Sequence, residues 1–258
     1  MLVLVLPDAD TVSRQAAALV AGTMERNPDM VLGLATGASP LGMSSDLADR
    51  HQRGRLDFSR LTTINLDDYV GLAANHPASC RSYMRQALFD HVNLRPDQTL
   101  IPDGRAEANL MACCAAYEQA IADCGGIDLQ VLGIGLNGHL GFNEPGSGLD
   151  SRTRIVRLSH TTRTANRRSF AGEDVPEAAI TMGLGTIRAA HRLLLLATGS
   201  NKAEAIAAAL EGPITASVCR LASCRPKLSH WHCSAADSIS STTAWAGSGR
   251  SGCCGIHR

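Results

Sequence analysis

An excess of charge of either sign is missing: 24 basic residues balance 24 acidic ones over 258 positions. That balance leaves no electrostatic footprint for nucleic acid or for an anionic membrane, with room only for a local basic pocket. Also missing is any apolar run long enough to span a bilayer. The opening Met-Leu-Val-Leu-Val-Leu-Pro-Asp has no basic leader and turns polar after six residues, so it reads as a first strand rather than a signal peptide. No paired-ligand spacing of His and Cys marks a regular metal site. These absences make a cytoplasmic enzyme, with no nucleic-acid or membrane partner, the expectation. The 45% hydrophobic content is enough for the core of one large α/β domain or two small ones.

What is present alternates between strand and helix. Residues 2–6 predict a strand, and Asp8 or Asp10 can cap a helix running to about Arg26. Residues 30–34 predict a second strand, leading into Ala-Thr-Gly-Ala-Ser-Pro (35–40) with Ser39 as N-cap and Pro40 as first helical residue. Strand, glycine turn and capped helix put free N–H groups and the positive end of a helix dipole in one place, which suits a phosphate. Many such turns bind nothing. Residues 61–66 predict a third strand that stops at Asp67-Asp68-Tyr69. Adjacent carboxylates there are either a cap or solvated turn, or a buried base with a raised pKa. Helices are expected over residues 76–92 and 106–124, with Cys80, Cys113, Cys114 and Cys124 as small packing residues in a reducing compartment.

The densest stretch is Gly-Ile-Gly-Leu-Asn-Gly-His-Leu-Gly-Phe-Asn-Glu-Pro (133–145), at the end of an apolar run over residues 129–134. A run of that kind suits a strand buried on both faces of a parallel sheet, and the loop leaving its C-terminal end carries Asn137, His139 and Glu144. The arginine- and hydroxyl-rich residues 151–168 are either solvated surface or a reach toward an anion. Residues 179–187 open a helix, 192–197 form a buried strand, and a glycine turn at 198–202 places Lys202 at the start of a helix over 203–210. Four strand ends therefore carry polar groups: residues 36–39, 67–68, 137–144 and 200–202. His51, His76, His91, His160 and His191 are scattered without metal-gathering spacing.

Those segments, together with Asn-Leu-Asp-Asp-Tyr-Val-Gly (65–71), Ser-Arg-Thr-Arg (151–154) and Gly-Ser-Asn-Lys (199–202), resemble the signatures of the glucosamine-6-phosphate deaminase family over residues 1–218. The resemblance implies an open, mostly parallel Rossmann-like sheet with helices on both faces, of the deaminase and phosphogluconolactonase type. It implies amino-sugar catabolism: a phosphosugar substrate, glucosamine 6-phosphate, isomerised and hydrolytically deaminated to fructose 6-phosphate without metal or organic cofactor. Asp67 then corresponds to the base that moves a proton from C2 to C1. His139 corresponds to the ring-opening group, supported by Asn137 and Glu144. Thr36, Gly37, Ala38, Ser39, Arg168 and Lys202 correspond to the phosphate ligands, with Asp68 and Gly138 as further substrate contacts. Some relatives carry an allosteric site, but Val156-Arg157 replace the lysine and threonine expected there.

Three rival functions stay open at this point. A 6-phosphogluconolactonase needs no carbon base, a galactosamine-6-phosphate enzyme differs by one inverted hydroxyl, and a non-catalytic phosphosugar-sensing module calls for a DNA-binding segment. The sequence leaves monomer and homo-oligomer both open. Residues 219–258 change composition sharply: they hold five of the nine cysteines and both tryptophans and show no helix or strand periodicity. A shifted reading frame or an unrelated extension explains such text. Zinc held by Cys219, Cys224, His230, His232 and Cys233 is the competing idea.

Overall fold

The computed structural model describes residues 2–105, 109–211 and 228–234, the last stretch by its backbone alone. The chain opens with strand β1 (Val3–Leu6), then helix α1 (Ala9–Arg26), whose start is fixed by the Asp8 carboxylate accepting from the Thr11 N–H at 2.6 Å. Its buried residues Val12, Ala16, Val20 and Met24 recur at helical spacing. Strand β2 (Val31–Leu34), wholly buried, leads to helix α2 (Ala38–Gln52). This helix begins at Ala38 with Gly37 as its cap, so Ser39 and Pro40 lie inside the first turn rather than at its boundary.

Strand β3 (Thr62–Asn65) ends one residue before β4 (Asp67–Tyr69), and Ser79 caps helix α3 (Cys80–Ala87), shorter than the helix expected over residues 76–92. Next in the chain come β5 (Thr99–Leu100), α4 (Leu110–Asp123), β6 (Leu129–Leu132), β7 (Arg154–Arg157), α5 (His160–Asn166) and β8 (Ala178–Thr181). Helix α6 (Leu184–Ala189), β9 (Arg192–Ala197), α7 (Ala203–Glu211) and β10 (Leu228–Ser234) complete the order. Residues 179–181, predicted to open a helix, are instead strand, and the helix starts at Leu184.

Seven strands form one parallel sheet in the order β1-β10-β9-β6-β2-β3-β5. Alternation along each strand sends Leu32, Leu34, Val131 and Leu194 into the core with α1 and α2, and sends Val31, Leu132, Leu193 and Leu195 into the core with α4, α6 and α7. Both faces are thus covered, as a parallel sheet requires. The sequence pattern does not predict the second sheet, β4-β8-β7, which is antiparallel and pairs Asp67 with Thr181. It sits where β3 ends, so Asp67 and Asp68 lie on a strand rather than in a turn.

Strand β10 falls in the stretch expected to lack strand periodicity, and it pairs with both β1 and β9. The division at residue 218, the rest of the 219–258 segment and the side chains of the alternative zinc site lie outside the described residues.

Candidate active site

The β2–α2 turn, the β3–β4 junction, the loop after β6 and the β9–α7 turn meet at the C-terminal ends of the parallel strands. Contacts link all four in a chain. The Ser39 and Thr198 hydroxyls lie 3.2 Å apart, joining the first turn to the last. The Cys80 thiol, on α3, stands 3.9 Å from the Thr36 hydroxyl and donates to Asp67 Oδ1 at 3.6 Å, linking the first turn to the second. Gly141 belongs to the loop after β6, and a Cβ on it would stand 3.0 Å from Asp67 Oδ2, so second and third rims touch. Between third and fourth the link is electrostatic and not a contact: the charge of Lys202 lowers the pKa of His139.

Asp67 and Asp68 are 6% and 8% exposed. Burial pushes Asp67 up to about 7, the neighbouring Asp68 adds to the rise, and the Cys80 thiol alone opposes it. Asp68 is raised by burial too, although its Oδ1 accepts from the backbone N–H groups of Tyr69 and Cys80 at 2.8 and 2.9 Å. Asp68 is therefore spent on holding the start of α3 against β4. Asp67 keeps one oxygen facing the Gly141 loop.

In the loop after β6, the His139 ring lies over Gly135, where a Cβ would come within 2.1 Å of ring atom Cε1, so only glycine leaves room for it. The Asn137 side-chain oxygen is 2.7 Å from His139 Nδ1, and its NH2 group donates to Glu144 Oε2 at 2.8 Å. An ionised carboxylate only accepts, so the NH2 must face Glu144 and the amide oxygen must face the ring. His139 therefore carries its proton on Nδ1, leaving Nε2 with a free lone pair. Burial holds His139 below its ordinary value, Lys202 lowers it further, and the Glu144 charge opposes them. Burial acts to raise Glu144, but donors from Thr162, Asn137 and Ser159 outweigh it and leave its pKa lowered.

The loop is bolted from behind. Phe142 N–H donates to Thr181 Oγ1 at 3.2 Å, and Asn143 Nδ2 donates to the Leu140 and Met182 carbonyls at 2.9 and 2.8 Å. Arg154 completes the bolt by donating to Asn143 Oδ1 at 2.8 Å. Gly138, buried, donates its N–H to the Gly135 carbonyl at 3.0 Å and tightens the same turn.

Of the phosphate-binding candidates, Gly37 and Ala38 are exposed at the head of α2, while Thr36, Ser39 and Lys202 are half-buried. Burial also lowers the pKa of Lys202. Arg168 is exposed in the turn after α5, and among the described residues no hydrogen bond or ion pair ties it to the four rims. Sequence reasoning missed Cys80 beside Asp67 and the Ser159 and Thr162 hydroxyls on Glu144. Ser159 was recognisable as a helix cap, but nothing local shows which carboxylate it also meets.

A parallel sheet that gathers a buried carboxylate and an imidazole at the C-terminal ends of its strands defines a class. The chain belongs to the family of glucosamine-6-phosphate isomerases and 6-phosphogluconolactonases, whose model matches residues 7–227. Within it, the chain is 48% identical over 217 residues to the glucosamine-6-phosphate deaminase of Cellvibrio japonicus (strain Ueda107), covering 84% of this chain and 82% of that one. The fold is similar, with a TM-score of 0.87 and 41% identity, to the solved structure of a glucosamine-6-phosphate deaminase described as monomeric, over 91% of this chain and 97% of that one. A 6-phosphogluconolactonase from Trypanosoma brucei, 17% identical with a TM-score of 0.73 over 90% and 95% of the two chains, shares the fold alone.

Proposed function

We propose that this chain converts glucosamine 6-phosphate and water into fructose 6-phosphate and ammonia, within amino-sugar catabolism. The observation that supports the reading is the chain of contacts linking the four rims, with the buried Asp67 carboxylate beside the loop that carries His139 and the Lys202 charge acting on His139. His139, neutral and with Nε2 free, takes the proton from O1 of the pyranose and returns it to O5, opening the ring. Asn137 holds its tautomer and Glu144 holds Asn137. Opening makes the C2 proton acidic, and Asp67 takes it and passes it to C1. The imine left at C2 then adds water and expels ammonia, so the net cleavage of the C–N bond is hydrolytic. A carboxylate pushed up to about 7 is a stronger base than an ordinary one and is still largely ionised above neutrality.

Thr36, Gly37, Ala38 and Ser39 would receive the phosphate, Lys202 would supply charge, and Arg168 would close on it only with substrate present. Asp68 and Gly138 would shape the wall around the sugar. The domain would take in β10, beyond the expected boundary near residue 218, with cytoplasmic location as the expectation and a homo-oligomer or a monomer to be settled by sedimentation. Among the described residues, no helix is long and apolar enough to cross a membrane.

Ammonia release from glucosamine 6-phosphate and galactosamine 6-phosphate, measured beside acid release from 6-phosphogluconolactone, tests the proposal. Release from glucosamine 6-phosphate with matching fructose 6-phosphate supports it. Turnover of the lactone alone, or binding of phosphosugars without turnover, overturns it.

A further inference from the structure

We propose that Cys80 is a positioning residue for the carbon base, its thiol holding Asp67 Oδ1 in place and setting how readily that carboxylate is protonated. The proposal rests on the reading of Asp67 as the base. Cys80 is 5% exposed at the start of α3, and three contacts converge on it: its Sγ donates to Asp67 Oδ1 at 3.6 Å, lies 3.9 Å from Thr36 Oγ1, and its N–H donates to Asp68 Oδ1 at 2.9 Å. Because the thiol proton points to the carboxylate, the Thr36 hydroxyl is left as the donor to sulfur. Hydroxyl, thiol and carboxylate then form a line running from the phosphate turn to the base.

The same helix also ties down that turn, since the Tyr83 hydroxyl donates to the Gly37 carbonyl at 2.7 Å. Helix α3 is thus a bracket between the proposed phosphate site and the proposed base. The thiol stays protonated, and so remains a donor, because burial and the Asp67 and Asp68 charges all raise its pKa.

No cation faces Asp67 among the described residues that act on it. Its titratable neighbours are Asp68 and Tyr69 on β4, Cys80 on α3 and Tyr117 on α4; Gly141 and Thr181, from the loop and from β8, are uncharged. Asp68 raises the proton affinity of Asp67, and the thiol is the one group that lowers it. Removing the thiol therefore leaves the carboxylate buried with no compensating donor, and Asp67 is protonated at higher pH.

The test is the pH dependence of kcat/KM for wild type, Cys80→Ala and Cys80→Ser, with Asp67→Asn as reference. The acid limb of Cys80→Ala is expected to move up by about half a pH unit or more, since a weak donor to a charged group is being removed. Activity then falls more at pH 6 than at pH 9. Cys80→Ser restores a donor, and its limb returns toward or below that of wild type. If Cys80→Ala does not fold, Cys80→Ser carries the test, because a hydroxyl donates more strongly and moves the limb to lower pH. A uniform loss across pH, with the limb of the folded variant unmoved and Asp67→Asn inactive, overturns the inference and leaves Cys80 a packing residue. An active Asp67→Asn overturns instead the assignment of Asp67 as the base.

Discussion

Asp67 and Glu144 are carboxylates from two of the four strand ends, and their surroundings treat them in opposite ways. Asp67 sits on a strand of the small antiparallel sheet, almost fully buried, with a carboxylate next to it and one thiol as its donor. Glu144 sits on the loop after β6, half-buried, with donors from Asn137, Ser159 and Thr162. Burial acts to raise the proton affinity of both, and only Glu144 has enough donors to reverse it. The carboxylate proposed to take a proton is starved of donors, whereas the one proposed to stay charged is saturated with them. His139 obeys the same rule with the sign inverted, since burial disfavours its charged form and lowers its pKa.

The largest effect that could break this contrast is at Asp67. Asp67→Asn should cut turnover by about a thousandfold or more, near the upper range for a positioned base, as read by ammonia release. The same variant should gain stability at high pH. The folded value of about 7 lies above the ordinary 3.8, so Asp67 contributes stability below the ordinary value that is lost as pH rises through 7. The gap corresponds to something on the order of 4 kcal/mol, so urea unfolding at pH 8 should favour Asp67→Asn and the difference should vanish by pH 3. Equal stability at pH 8 would show that Asp67 carries no burial penalty.

Lys202 belongs to neither carboxylate wall. Lys202→Ala should raise KM by about ten- to a hundredfold, the worth of one charge-assisted contact, while kcat changes little. A loss confined to kcat would place the lysine at the reacting atoms instead of at the phosphate.

Asn137→Asp sharpens the comparison, because it replaces the NH2 donor to Glu144 with a second carboxylate beside the imidazole. Added negative charge favours the imidazolium, so activity should survive with its pH–rate profile moved up by about one unit. A profile unchanged within error rejects the role given to Asn137. The smallest effect is expected at Thr162→Ala. Losing one donor to an ionised Glu144 should lower stability at pH 7 by about 1 kcal/mol. Because the folded pKa of Glu144 is lowered, that stabilisation is present above the ordinary carboxylate value and lost as pH falls through the folded one. Thermal unfolding at pH 7 and pH 3 separates the two cases.

Much of this site was legible in the chain. Each of the four strand ends announces itself locally, through an apolar run that stops at glycine, hydroxyl or charge, and α1 starts at one of its two expected caps. The segment immediately after β3 was less legible. Asp67-Asp68-Tyr69 reads as a cap or turn or as a buried base, and residues 179–187 as the opening of a helix, yet residues 67–69 and 179–181 pair as antiparallel strands. Short segments have weak preferences, and partners more than a hundred positions apart decided their conformation. The same holds for β10, whose text carries no strand period but which lies between β1 and β9.

By itself the sequence determined which groups could do chemistry, because the residue types and the breaks between strand and helix are local properties. The tertiary structure decided what each group does. Proton affinity depends on burial and on donors arriving from distant elements: α3 for Asp67, and α5 with its cap Ser159 for Glu144. The adjacent carboxylates after an apolar strand hint at a raised proton affinity, but the distant donors leave no trace in the neighbouring residues, since those contacts are created only when the two sheets and the helices close around the site.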